Sequence, residues 1–81
     1  MMELAQGVAA SVLFRDMLKK DPTLTGRDLS HLLAMQYPEL DAGAIQLVRR
    51  WVGVRAQGGI PDSDLDTVMT ELLRLSGYLK Q

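Results

Sequence analysis

The chain has 81 residues, 47 % hydrophobic and 23 % charged, with nine bases against ten acids and a formal net charge of −1. This is the length of one domain and the composition of an ordinary globular chain, too apolar for intrinsic disorder and not basic enough for a polybasic binder. No cysteine is present, which excludes disulfide scaffolds and thiolate metal or iron–sulfur sites.

Apolar runs such as Val8-Ala9-Ala10 end within a few residues, far short of the ~20 needed to span a bilayer. The start, Met1-Met2-Glu3, lacks the positive charge of a secretory signal. The expectation is a cytoplasmic protein with no membrane segment.

Four helical segments and no strand are predicted, since no stretch alternates polar and apolar residues. The first spans residues 2–20. Leu4, Val8 and Val12 point one way on its wheel, and Ala10, Phe14, Met17 and Leu18 another. A helix apolar nearly all round must be covered on more than one side. Pro22 stops it.

The second helix spans 25–36. Thr25 and Asp28 have capping-box spacing, and Leu24 can staple onto Leu29. His31 falls off the Leu29/Leu33 stripe and reads as a surface residue, and Pro38 forces the end. The third helix spans 41–56, capped by Asp41. Ile45, Val48 and Val52 form its apolar face; Gln46, Arg49 and Arg50 share the opposite one. Trp51 is expected half-buried, with its indole nitrogen toward solvent.

The fourth helix spans 62–76. Asp62, Asp64 and Asp66 suit its positive end, and Leu65, Val68, Met69, Leu72 and Leu73 form its stripe. Gly77 is a natural C′ residue, and Leu79 is expected to fold back onto the core. The fold class is therefore all-α, a four-helix domain over residues 1–81, orthogonal or bundle-like.

No catalytic constellation can be assembled. Ser30, His31 and Asp28 lie on one helix turn, where neighbouring side chains diverge, so no relay forms. Asp62-Ser63-Asp64-Leu65-Asp66 opens like a calcium loop, but Thr67 stands where glycine is needed and Leu73 where glutamate is needed. Gly58-Gly59 is not followed by the Lys-Ser/Thr of a phosphate loop. The expectation is a non-enzymatic protein with no metal site, no cofactor and no evident small-molecule substrate.

Two features can carry a binding function. One is surplus apolar surface on the first helix, with Leu4, Val8, Phe14 and Met17 as the anchors of a protein partner or homodimer. The other is charge layout. Residues 42–61 hold Arg49, Arg50 and Arg55 and no acid, whereas residues 62–66 hold three acids and no base. An arginine stripe on a small helical domain can contact phosphates.

Thr25 to Trp51 reads as helix, turn, helix and resembles the helix-turn-helix pair of bacterial transcription regulators, with Asp41–Arg55 as the recognition helix. The resemblance implies nucleic-acid contact through Gln46, Arg49, Arg50 and Arg55. The chain departs from the pattern in its turn, Tyr37-Pro38-Glu39-Leu40, which lacks glycine, and in its first recognition turn, where Gln46 alone is long enough to reach base edges. Because net charge is −1, a protein-interaction module of a small bacterial or phage protein is placed first, and a DNA-binding regulator second.

Overall fold

The structure, a computed structural model, describes residues 2–55 and 57–79. It is all-α: a 3₁₀ turn at Met2–Leu4, then helices α1 (Ala10–Lys20), α2 (Gly26–Gln36), α3 (Ala42–Arg50) and α4 (Asp62–Leu75). Among the described residues no helix is long and apolar enough to cross a membrane.

Where start and stop signals are local, the chain follows them. At α2, Thr25 Oγ1 accepts from the Asp28 N–H at 3.2 Å and Asp28 Oδ2 accepts from the Thr25 N–H at 3.0 Å. Two donors without helical partners are thereby satisfied. At α3, the Asp41 carboxylate accepts from the Gly43 N–H. Past α4, the Tyr78 N–H reaches the Leu73 carbonyl at 3.0 Å and the Gly77 N–H the Arg74 carbonyl at 3.1 Å, a Schellman closure. Leu79 packs against the core as expected.

The first helix is shorter than predicted. Gly7 adopts φ +96°, a backbone state that no helix continues through. The segment therefore splits into the 3₁₀ turn and α1. Ala9, at the new N-cap, has no side-chain acceptor. Asp66 of α4 supplies it instead, accepting from the Ser11 N–H and Oγ at 2.7 Å each.

The split also moves the apolar residues. Leu4 and Phe14, 1 % and 0 % exposed, belong to the core with Leu29, Leu33, Trp51 and Met69. Met17 is half-buried against that core, and Val8 is 39 % exposed. The four anchors therefore do not share one outward surface. A bent N-terminal segment turns Leu4 back onto the core, and α4 covers the Phe14 side of α1.

The third helix ends at Arg50, short of residue 56 (Ala56 itself lies outside the described residues). Main-chain pairing with Ile60 competes for its last groups: the Ile60 N–H donates to the Arg50 carbonyl at 2.7 Å and the Val52 N–H to the Ile60 carbonyl at 2.8 Å. Val52 is consequently exposed and does not extend the Ile45/Val48 face. Trp51 is the larger correction. Its side chain is 0 % exposed, and its Nε1 donates to Asp62 Oδ1 at 2.8 Å, since a buried indole N–H needs an acceptor.

The same carboxylate accepts from Arg15 Nε at 2.9 Å and Nη2 at 2.8 Å. The Arg15 guanidinium also lies over the indole, 5.1 Å from its centroid, a cation–π position. The hydrogen bonds from Arg15, then that from Trp51, hold the Asp62 carboxyl below its ordinary range. A depressed carboxyl stabilises the fold above the unfolded value of about 4, and that contribution is lost as pH falls through the folded value. Urea midpoints should therefore drop below about pH 4. In Asp62→Asn they should be lower at neutral pH and fall less on acidification; Glu71, which Arg74 depresses likewise, contributes its share in both proteins. Parallel pH profiles for the two proteins would disprove the linkage.

Candidate functional site

Helices α2 and α3 form the most extensive helix pair of the domain. Gly26 makes the approach possible. A Cβ there would lie 3.0 Å from Val54 Cγ2 and 3.5 Å from the Arg49 Cα. The first turn of α2 thus sits against the last turn of α3, and Arg27 comes next to Arg49. Both line a groove of about 460 Å³ that also takes in Asp28, Ser30, His31 and Ile45.

Gln46 and Arg50, one turn apart on α3, line a second hollow with Gly43, Leu47 and Ile60. Arg55 lines a third, beside Leu18, Leu24, Thr25 and Val54. The predicted residues Gln46, Arg49 and Arg50 are all exposed on α3. Arg55 is also exposed, but the loop after α3 carries it in place of the helix. That loop is held at its base by the Trp51–Ile60 pairing.

The electrostatics of this side differ from the rest of the molecule. Arg15 pairs with Asp62, Lys20 with Asp16, and Arg74 with Glu71, all on α1 and α4. Among the described residues, Arg27, Arg49, Arg50 and Arg55 enter no ion pair. Asp28, the one acid that lines the groove with Arg27 and Arg49, accepts from the Thr25 N–H. Asp41 lies at the opposite end of α3, about 12 Å from Arg49 at 1.5 Å per residue, beyond a physiological Debye length of about 8 Å. Arg49 and Arg50 also stand in the last turn of α3, where the helix dipole favours cations.

Two members of this surface were not expected. Arg27 carries no expected role, and the spacing of His31 makes it an ordinary surface residue. Their spacing, i and i+4 on one helix, puts them on one face. What sequence spacing does not reveal is that α3 brings Arg49 to the same groove. Other carboxylates are committed structurally: Asp62 to Arg15 and Trp51, and Asp66 to Ser11. Among the described residues no group of three His, Asp or Glu is placed to hold a metal ion. Comparison of the chain with protein-family models, curated proteins and solved structures found no match.

The Arg55 loop depends on Gly53, where the chain turns over the buried indole. A Cβ there would fall 2.4 Å from Trp51 Cη2 and 2.6 Å from two further ring carbons. Gly53→Ala must therefore displace the ring or the loop, with an expected cost of about 1–3 kcal/mol. Trp51 is the sole tryptophan, so its emission should shift red in the variant at neutral pH. Emission and urea midpoint both equal to wild type would mean that the loop yields freely.

Proposed function

We propose that the protein is a small non-enzymatic binding module that lays its α2–α3 face and the following loop on the phosphate backbone of nucleic acid. The observation that carries this reading is the set of four exposed arginines without ion-pair partners among the described residues, in a chain whose acids outnumber its bases. Paired arginines would have to break existing bonds to meet phosphate; these do not. Guanidinium groups suit phosphate because they offer planar, bidentate donors and keep their charge.

The start of α3 bears on specificity. Ala42 and Gly43 carry nothing that reaches a base edge, which leaves Gln46. Contacts of this face are therefore mostly to the backbone, which position without specifying sequence. Random duplex DNA should bind with a dissociation constant of roughly 10⁻⁴–10⁻⁶ M, with amide shifts centred on residues 46–55. Replacing Arg49 and Arg50 by glutamine should flatten the slope of log affinity against log salt by about 1.8, or 0.9 for each lost phosphate contact. An unchanged slope with unchanged helicity would remove these residues from the interface.

A second reading keeps the protein-partner or self-association function and moves its surface. Leu4 and Phe14 are buried, but Val8 and Val12 are 39 % and 62 % exposed at the start of α1. Exposed apolar side chains near the start of α1 favour an apolar contact. On this reading the wild type associates with rising concentration, and Val12→Asp stays monomeric at equal helicity. Light scattering that finds both proteins monomeric at every concentration would end self-association through this patch.

A further inference from the structure

We propose that the groove between α2 and α3 seats a single backbone phosphodiester, and that His31 is its proton-dependent third cation, so that protonation of His31 tightens binding. The inference rests on the nucleic-acid reading above and adds to it a subsite and a regulating proton.

Arg27 and His31 stand one turn apart on α2, and Arg49 faces them from α3; all three are exposed and line the one groove. The floor between them offers little competing chemistry. Ala34 and Ile45 are apolar, and the Ser30 hydroxyl donates to the Arg27 carbonyl at 3.0 Å. Binding here is thus a matter of the charges at the rim. The charged groups facing the imidazole are Arg27 and Asp28 from α2 and Arg49 from α3, with Arg55 in the adjacent hollow beside Thr25. Asp28 is the one carboxylate in the set, and its Oδ2 accepts from the Thr25 N–H in the capping box.

An imidazole changes its charge between about pH 5 and 8. Protonated, His31 is a third positive charge beside Arg27 and Arg49, and like charges at i and i+4 repel. A phosphodiester between them offsets that repulsion and accepts hydrogen bonds from both guanidinium groups and the imidazolium. A neutral imidazole adds no charge to the seat. Linkage then requires that phosphate binding and proton binding at this position favour each other. His31 is the sole histidine of the chain, so one substitution isolates the effect.

The test uses the full chain and random-sequence duplex DNA, whose phosphodiesters keep one charge throughout the range. Affinity is measured against salt at about pH 5.5 and about pH 8, on either side of the imidazole transition, for wild type and His31→Gln. Circular dichroism checks that both stay folded. At equal salt the wild type should bind more tightly at the lower pH by roughly 5-fold or more, the low end of an ordinary coupling. His31→Gln should show equal affinity at the two pH values. Equal affinity in the wild type, or a pH difference that survives in His31→Gln, would overturn the role of His31 while leaving the arginine interface standing. No wild-type binding at either pH in low salt would instead overturn the nucleic-acid reading and this subsite with it.

Discussion

The carboxylate of Asp62 joins three parts of the chain that have few other reasons to meet. Arg15 reaches it from α1 with two donors, and Trp51 from the end of α3 with one, while Asp62 itself opens α4. Its position in the first turn of α4 adds the favourable end of the helix dipole. Each partner needs the others. The indole is fully buried, and without an acceptor its N–H would be an unsatisfied donor in the core. The guanidinium covers the indole face from outside. A second acid, Asp66, repeats the logic one turn further along α4 by capping α1 through Ser11. Helix α4 thus holds α1 through two carboxylates as well as through Leu65, Met69 and Leu73 in the core.

This use of acids shapes the surface. A domain of this size buries only a little over ~60 % of the area its unfolded chain exposes, so its helix ends and its buried indole rely on polar closure. The acids that supply this closure, Asp28, Asp41, Asp62 and Asp66, are engaged with N–H, hydroxyl or guanidinium donors. Two further pairs, Lys20 with Asp16 and Arg74 with Glu71, lie on α1 and α4. Among the described residues, the arginines of α2, α3 and the loop form no ion pair. A net charge of −1 therefore coexists with a cationic side, and the overall charge is a poor guide to what that side can bind.

The same distinction separates what was legible in the sequence from what was not. Thr25 with Asp28, Asp41, and Gly77 act on groups within a few residues, so their spacing alone discloses the start of α2, the start of α3 and the end of α4. The cap of α1 comes from Asp66, 55 residues away from Ser11, and no local pattern announces it. The end of α3 is set by pairing with Ile60, a competition between two backbone arrangements that helix periodicity does not register. The burial of Leu4 follows from Gly7 redirecting the chain, and that of Phe14 from its ring packing against Trp51; an unbroken helical wheel discloses neither. Of the candidate site, the α3 residues were readable from spacing. Arg27 and His31 were not, because only the approach of two helices at Gly26 puts them beside Arg49.

The reach of the cationic side follows from screening. At physiological ionic strength exposed charges separated by more than about 8 Å act nearly independently. A partner far from the molecule meets a net charge near zero and is not steered toward it. A partner within a Debye length of the α2–α3 face meets Arg27, Arg49, Arg50 and Arg55 with few carboxylates free to oppose them. Attraction of this kind is short-ranged and sensitive to salt. It also demands a fixed geometry, since four charges help one another only when one partner spans them. The Asp62 lock provides this by tying the base of the Arg55 loop to Trp51 and thereby to the end of α3. The interaction that closes the core thus also holds the Arg55 loop, while the approach of α2 and α3 at Gly26 sets the spacing of Arg27 and Arg49.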